Sequence, residues 1–77
     1  MIAEHDRIVL TEDLPQGSLK VGDVGTAVSV HTPGAAYEVE FMILDGTTVA
    51  VATVEANQLR PVGHADITYA RSLAGGA

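Results

Sequence analysis

The chain has no cysteine and no tryptophan, and its 77 residues include only one phenylalanine and two tyrosines. Without cysteine, no disulfide can brace a small fold and no thiolate can serve as nucleophile or metal ligand. With so few aromatics, the core must be assembled from small side chains, mainly Ala and Val, and there is no aromatic platform to hold a sugar. Basic residues are also scarce. Four Lys and Arg stand against ten Asp and Glu, for a net charge of −6. Arg7, Lys20, Arg60 and Arg71 are scattered singly, so the clustered cations that a phosphate backbone requires are missing. Nucleic acid and membrane are therefore not expected as partners, and the acidity favours solubility and a basic partner. No apolar run approaches the roughly 20 residues of a membrane span. The first residues show no basic segment followed by an apolar stretch, so no secretory signal is expected and a cytoplasmic protein is.

A chain of this length has room for one core and buries about 60–65% of its unfolded surface, which leaves stability marginal. Dimerisation is a common remedy for so small a core. The patterning is that of strands. Val24, Thr26, Val28 and Val30 alternate with Gly25, Ala27, Ser29 and His31; Tyr37, Val39 and Phe41 alternate with Glu38, Glu40 and Met42. A period of two marks half-buried strands. Five are expected, over residues 6–10, 24–31, 36–44, 47–54 and 59–62. Residues 11–22 form a long loop broken by Pro15 and Gly17. Gly22 and Gly25 flank the start of the second strand, where a glycine marks a bulge or a close backbone approach. Thr32-Pro33-Gly34-Ala35 suits a type II turn, and Asp45-Gly46 suits a two-residue type I′ hairpin.

The fourth strand differs in kind. Val49 and Val51 point one way and Ala50, Ala52 and Val54 the other, and neither face is charged. It is expected either at the centre of the sheet or covered on its second face by the C-terminal segment or a partner chain. Residues 55–58 fit one helical turn, and Pro61 confines the fifth strand to an edge. The predicted architecture is a mainly β, SH3-like barrel of about five antiparallel strands over residues 1–62, with an open four-stranded sheet closed by dimerisation as the competing arrangement. Residues 63–77 form a tail, partly helical or frayed, with Ala65, Ile67, Ala70 and Leu73 as its contacts.

The order of short motifs resembles a family of small bacterial proteins, domain-of-unknown-function family 4926. The matching pieces are residues 6–11, Asp13-Leu14-Pro15, residues 19–26, residues 37–41 and Leu59-Arg60-Pro61-Val62, with a similar ending at residues 67–71. The resemblance implies the SH3-like fold and carries over no established activity. More distantly, Gly22-Asp23-Val24-Gly25-Thr26 is similar to the strand start of KOW-type and photosystem-accessory SH3-like barrels, which serve as docking modules. Members of the family often sit in compact bacterial gene cassettes, which implies an antitoxin-like or accessory role.

Candidate sites are few. Glu38 and Glu40, two apart on a strand, lie about 7 Å from one another on one face; they read as a solvated face or as an acidic stripe for a basic partner. Asp23 reads as the cap of a turn. His5, His31 and His64 have no metal-ligand spacing. Serines lack a neighbouring base, and Gly22 and Gly25 lack the spacing of a phosphate loop. Tyr69 in the weak tail is there to dock something, the tail's own barrel or a partner. No catalytic, cofactor or metal residue is assigned. The expected function is a non-enzymatic acidic module that binds another protein or itself, as a homo-oligomer, through Glu38, Glu40, Val49, Val51 and Tyr69. The alternatives are an antitoxin-like neutraliser of a basic enzyme encoded nearby, and a weak metal binder using the three histidines.

Overall fold

The alternating segments form five antiparallel strands, seen in a computed structural model that describes residues 2–73. They are β1 (Arg7–Leu10), β2 (Val24–Thr32), β3 (Ala36–Met42), β4 (Thr48–Glu55) and β5 (Leu59–Pro61). A 3-10 turn at Gln16–Ser18 (η1) interrupts the loop after β1, and another at Ala56–Gln58 (η2) precedes β5. The strands make one sheet in the order β4-β3-β2-β1-β5. β2, β3 and β4 form a meander, and β5 returns to pair with β1. β4 and β5 end the sheet and do not pair with each other, so the sheet is open.

One face carries the core. Ile8, Leu10, Leu14, Leu19, Ala27, Tyr37, Val39, Phe41, Ala52, Val54 and Leu59 are buried together, joined by Ile2. Ile2 reaches them because the chain folds back before β1. Ala3 N–H donates to Asp6 Oδ2 at 2.9 Å, Asp6 N–H donates to the Ala3 carbonyl at 3.1 Å, and His5 takes a positive φ of 73°. No buried side chain is polar or charged among the described residues.

The alternation in β2 runs opposite to the obvious reading. The core takes Gly25 and Ala27, while Val24 and Val30 are exposed. The reason is space. A Cβ on Gly25 would lie 2.6 Å from Val39 Cγ1 and 2.8 Å from Phe41 Cε1. Here the glycine marks a close approach, and the large side chains of β3 fill the room it leaves. Register shifts at Ala27/Ser29 and Val30/Thr32 then rephase the rest of the strand.

The turns divide. Thr32-Pro33-Gly34-Ala35 closes through Ala35 N–H to the Thr32 carbonyl at 2.9 Å with Gly34 at φ 75°, as a type II turn requires. The second hairpin is not the two-residue I′ turn. Gly46 N–H donates to the Ile43 carbonyl at 2.9 Å and Ile43 N–H to the Thr47 carbonyl at 3.0 Å. Only Gly46 has positive φ, so the loop has three residues, Leu44, Asp45 and Gly46. Asp45 Oδ1 accepts Thr47 N–H at 2.8 Å, which suits its carboxylate to a capping role instead of a left-handed one. β4 is not central: it is the end strand, with Ala52 and Val54 buried and Val49 and Val51 exposed. The tail contains no helix over residues 62–73. Its spacing is irregular and its length falls short of the about 12 residues at which an isolated helix holds. Residues 74–77, the rest of the expected tail, lie outside the described residues.

Candidate docking face

The face of the sheet opposite the core carries Thr26, Glu38, Glu40, Val49, Val51 and Thr53. Its polar members pair with one another. Glu38 Oε2 accepts from Thr53 Oγ1 at 2.7 Å and lies 3.4 Å from His31 Nδ1. Glu40 Oε2 accepts from Thr48 Oγ1 at 2.5 Å. Both hydroxyl donors stand on β4, so the Glu38/Glu40 stripe leans over the edge strand. Each carboxylate is already held by a donor across the strand pair, an arrangement that fixes its side chain. Beside them Val51, opposite Glu40 in the register, is 60% exposed, and Val49 and Met42 are exposed too. The hairpin tip adds Leu44, 99% exposed, and Ile43.

The tail borders this face. From β5 it turns at Gly63–Asp66, where Asp66 Oδ2 accepts Gly63 N–H at 2.6 Å and both Asp66 oxygens accept from Arg60 at 3.0 Å. The Arg60 hydrogen bonds come first and the Gly63 N–H second in bringing the Asp66 carboxyl down to about 2. The tail then crosses to the loop before β2. Arg71 donates from Nε to Asp23 Oδ1 at 2.8 Å, and its terminal nitrogen donates to Asp23 Oδ2 at 2.6 Å and to the Ser18 carbonyl at 2.9 Å. Between tail and sheet runs an open groove of about 400 Å³ whose walls include Val24, Met42, Val49, Tyr69 and Leu73.

Asp23 is positioned by its own turn. Asp23 N–H donates to the Lys20 carbonyl at 3.0 Å, Asp23 Oδ2 accepts Lys20 N–H at 2.9 Å, and Gly22 between them takes φ 92°. The turn-capping role expected of Asp23 holds, and the same carboxylate also receives Arg71. Burial pushes its pKa up, but hydrogen bonds from Arg71 and the Lys20 N–H, with both positive charges, outweigh burial and hold it below the ordinary value.

The residues singled out in the sequence are therefore placed unequally. Glu38, Glu40, Val49 and Val51 share the face of β3 and β4. Tyr69 lines the groove but is 70% exposed, so the tail's anchor is Arg71 and not the aromatic ring. Arg71 carried one signal in the sequence, as the lone cation of the tail. His5 precedes β1, His31 lies near the end of β2 and His64 follows β5. Among the described residues no three His, Asp or Glu side chains come together as a metal would need. Among the same residues no helix is long and apolar enough to cross a membrane.

The chain belongs to the family described as a domain of unknown function, DUF4926, whose sequence profile matches residues 4–61. No curated protein and no solved structure matches it. Asp23, the whole of β4 and the Glu38/Glu40 pair lie inside the matched span, while Arg71 and Tyr69 lie beyond it.

Proposed function

We propose that the protein is a non-enzymatic module of the SH3-like kind that docks a polypeptide on the outer face of β3 and β4. The observation that carries this reading is β4 itself, an end strand whose residues 47–54 have no charge and whose Val49 and Val51 face solvent. Exposed β-branched residues on an edge strand mark an interaction surface. The meander, the long loop after β1 and the 3-10 turn before β5 support the SH3-like reading. Glu38 and Glu40 are engaged in cross-strand pairs and Asp23, Asp45 and Asp66 in turn caps, which favours binding over acid–base chemistry.

The test is Val51→Asp, compared with the unaltered chain in affinity capture from the native host. Because the Val51 side chain leaves the core untouched, the variant should keep its circular dichroism and melting temperature while losing its bound polypeptide. A variant that captures the same set, or one that unfolds, overturns the assignment.

A second reading is supported by the charges around β4. Glu38 and Glu40 on the neighbouring strand, Asp45 before it and Glu55 at its end would oppose a basic surface, such as that of an enzyme the protein neutralises. Co-expression should then rescue growth from a toxic neighbouring gene, and Glu38→Lys with Glu40→Lys should abolish rescue. A neighbour without toxicity removes this reading.

A further inference from the structure

The two ends of the sheet are treated differently. β5 has three residues, includes Pro61, which lacks an N–H, and has Arg60 tied to Asp66 beside it. Shortness, proline and charge are the usual guards of an exposed edge. β4 has eight residues and none of these guards before Glu55.

The direction of its free backbone groups follows from the register. Ala56 N–H donates to the Ala35 carbonyl at 2.8 Å. In an antiparallel ladder hydrogen-bonded pairs alternate with non-bonded ones. Counting from Ala35, the pairs Tyr37↔Val54, Val39↔Ala52 and Phe41↔Ala50 are bonded, while Glu38↔Thr53 and Glu40↔Val51 are not. The N–H and C=O of Val51 and Thr53 therefore point away from β3, toward the open edge. Among the described residues no backbone group meets them there, and η1, which lies close to β4, makes no backbone hydrogen bond to it.

An uncharged edge selects an uncharged strand, which strips no charge of its water, and β4 of a second copy is one. Two copies each carrying −6 repel wherever their carboxylates meet, and residues 47–54 are the stretch of sheet edge where they need not. We propose that β4 pairs antiparallel with β4 of a second copy across a two-fold axis at Val51, a step that rests on the docking reading above. Val51 then exchanges hydrogen bonds with its own counterpart, and Val49 stands beside Thr53 of the copy. The two Glu40 residues are three strand spacings apart, about 14 Å, beyond the about 8 Å over which charges act at physiological salt. The two Glu55 residues fall at opposite ends of the pair, about 27 Å apart. One strand from each copy buries less than the about 1,200 Å² of a standard interface, so the dimer is weak and concentration-dependent.

The experiment is sedimentation velocity with native mass spectrometry on the full chain across a concentration series, repeated at low and high salt. The expected result is a doubling of mass at high concentration, strengthened by salt because the like charges are screened. Val51→Pro removes an N–H that points outward, a position where an edge strand tolerates proline. It should keep the circular dichroism of the unaltered chain and remain monomeric at every concentration. A chain that is monomeric throughout overturns the self-pairing and leaves the docking reading to the Val51→Asp capture. A dimer that survives both Val51→Pro and Val51→Asp lies elsewhere on the molecule and overturns the self-pairing. A dimer that weakens as salt rises overturns the uncharged contact.

Discussion

Arg71 grips both carboxylate oxygens of Asp23, at 2.8 and 2.6 Å, across 48 positions of the chain. A two-toothed guanidinium–carboxylate pair fixes orientation as well as distance. Side chains here are 25% and 14% exposed, so water screens the pair only in part. The tail's Ile67 and Tyr69 are exposed and add little to its hold on the sheet. Arg71→Ala should therefore release residues 67–73 while leaving the five strands in place. Urea unfolding should show a loss of about 1 kcal/mol, the size of a hydrogen-bonded, partly screened pair. Amide exchange should rise in the tail and not in β3. Arg71→Lys should rescue only in part, since an ammonium cannot span both oxygens.

The same pair gives the chain an acid branch of known sign. Asp23 is held below its ordinary pKa in the folded chain. A carboxylate depressed by folding contributes its full stabilisation above its unfolded pKa of about 3.9 and loses it as pH falls through the folded value. Tail docking should be independent of pH above about 5 and weaken below about 4. The Gly63–Asp66 turn should outlast it toward about pH 2, where Asp66 titrates. Carboxyl carbon shifts in NMR would follow both groups, and Asp23→Asn should remove the Asp23 step while leaving that of Asp66.

All five strands begin and end within two residues of their expected bounds, because strand patterning is a local property. What alternation could not supply was the direction of β2. Val24 and Val30 look like core residues until Val39 and Phe41 are known to occupy the space above Gly25, and that contact joins two strands. The second hairpin failed for a similar reason. Asp45-Gly46 is a strong turn signal, but loop length depends on the bulge at Phe41/Met42 and on which residue caps Thr47 N–H. Ile2 was invisible because its burial depends on a fold-back that puts His5 at positive φ. Of the docking face, Glu38, Glu40, Val49 and Val51 were legible as neighbours in strands. The Arg71 anchor was not, since nothing local in the tail says which of ten carboxylates it will meet.

Gly25 offers a test of the close approach. Adding one methyl group there drives it into Val39 and the Phe41 ring, both buried. Neither neighbour is a flexible side-chain end that can swing aside. Gly25→Ala should cost about 2 kcal/mol, in the range of overpacked cores, visible as a lower melting temperature. Gly22→Ala should cost about 1 kcal/mol for a different reason. No atom lies in the way there, but φ is 92°. Pairing Gly25→Ala with Val39→Ala should recover part of the loss, whereas pairing Gly22→Ala with Val39→Ala should not.

Val39 and Val51 are the same residue on adjacent strands with opposite surroundings. Val39 is fully buried on the core face, while Val51 is 60% exposed on the other. Removing two methyl groups at Val39 loses their transfer energy and leaves a cavity, so Val39→Ala should cost about 2 kcal/mol. Val51→Ala should change the stability of the single chain by no more than about 0.5 kcal/mol, as at ordinary surface positions. The comparison must be made in dilute solution, because at high concentration a paired β4 would stabilise the unaltered chain by mass action. A Val51→Ala loss that grows with protein concentration, beside a Val39→Ala loss that stays constant, would place the pairing energy on β4. Equal losses at every concentration would instead make Val51 part of the monomer's own packing.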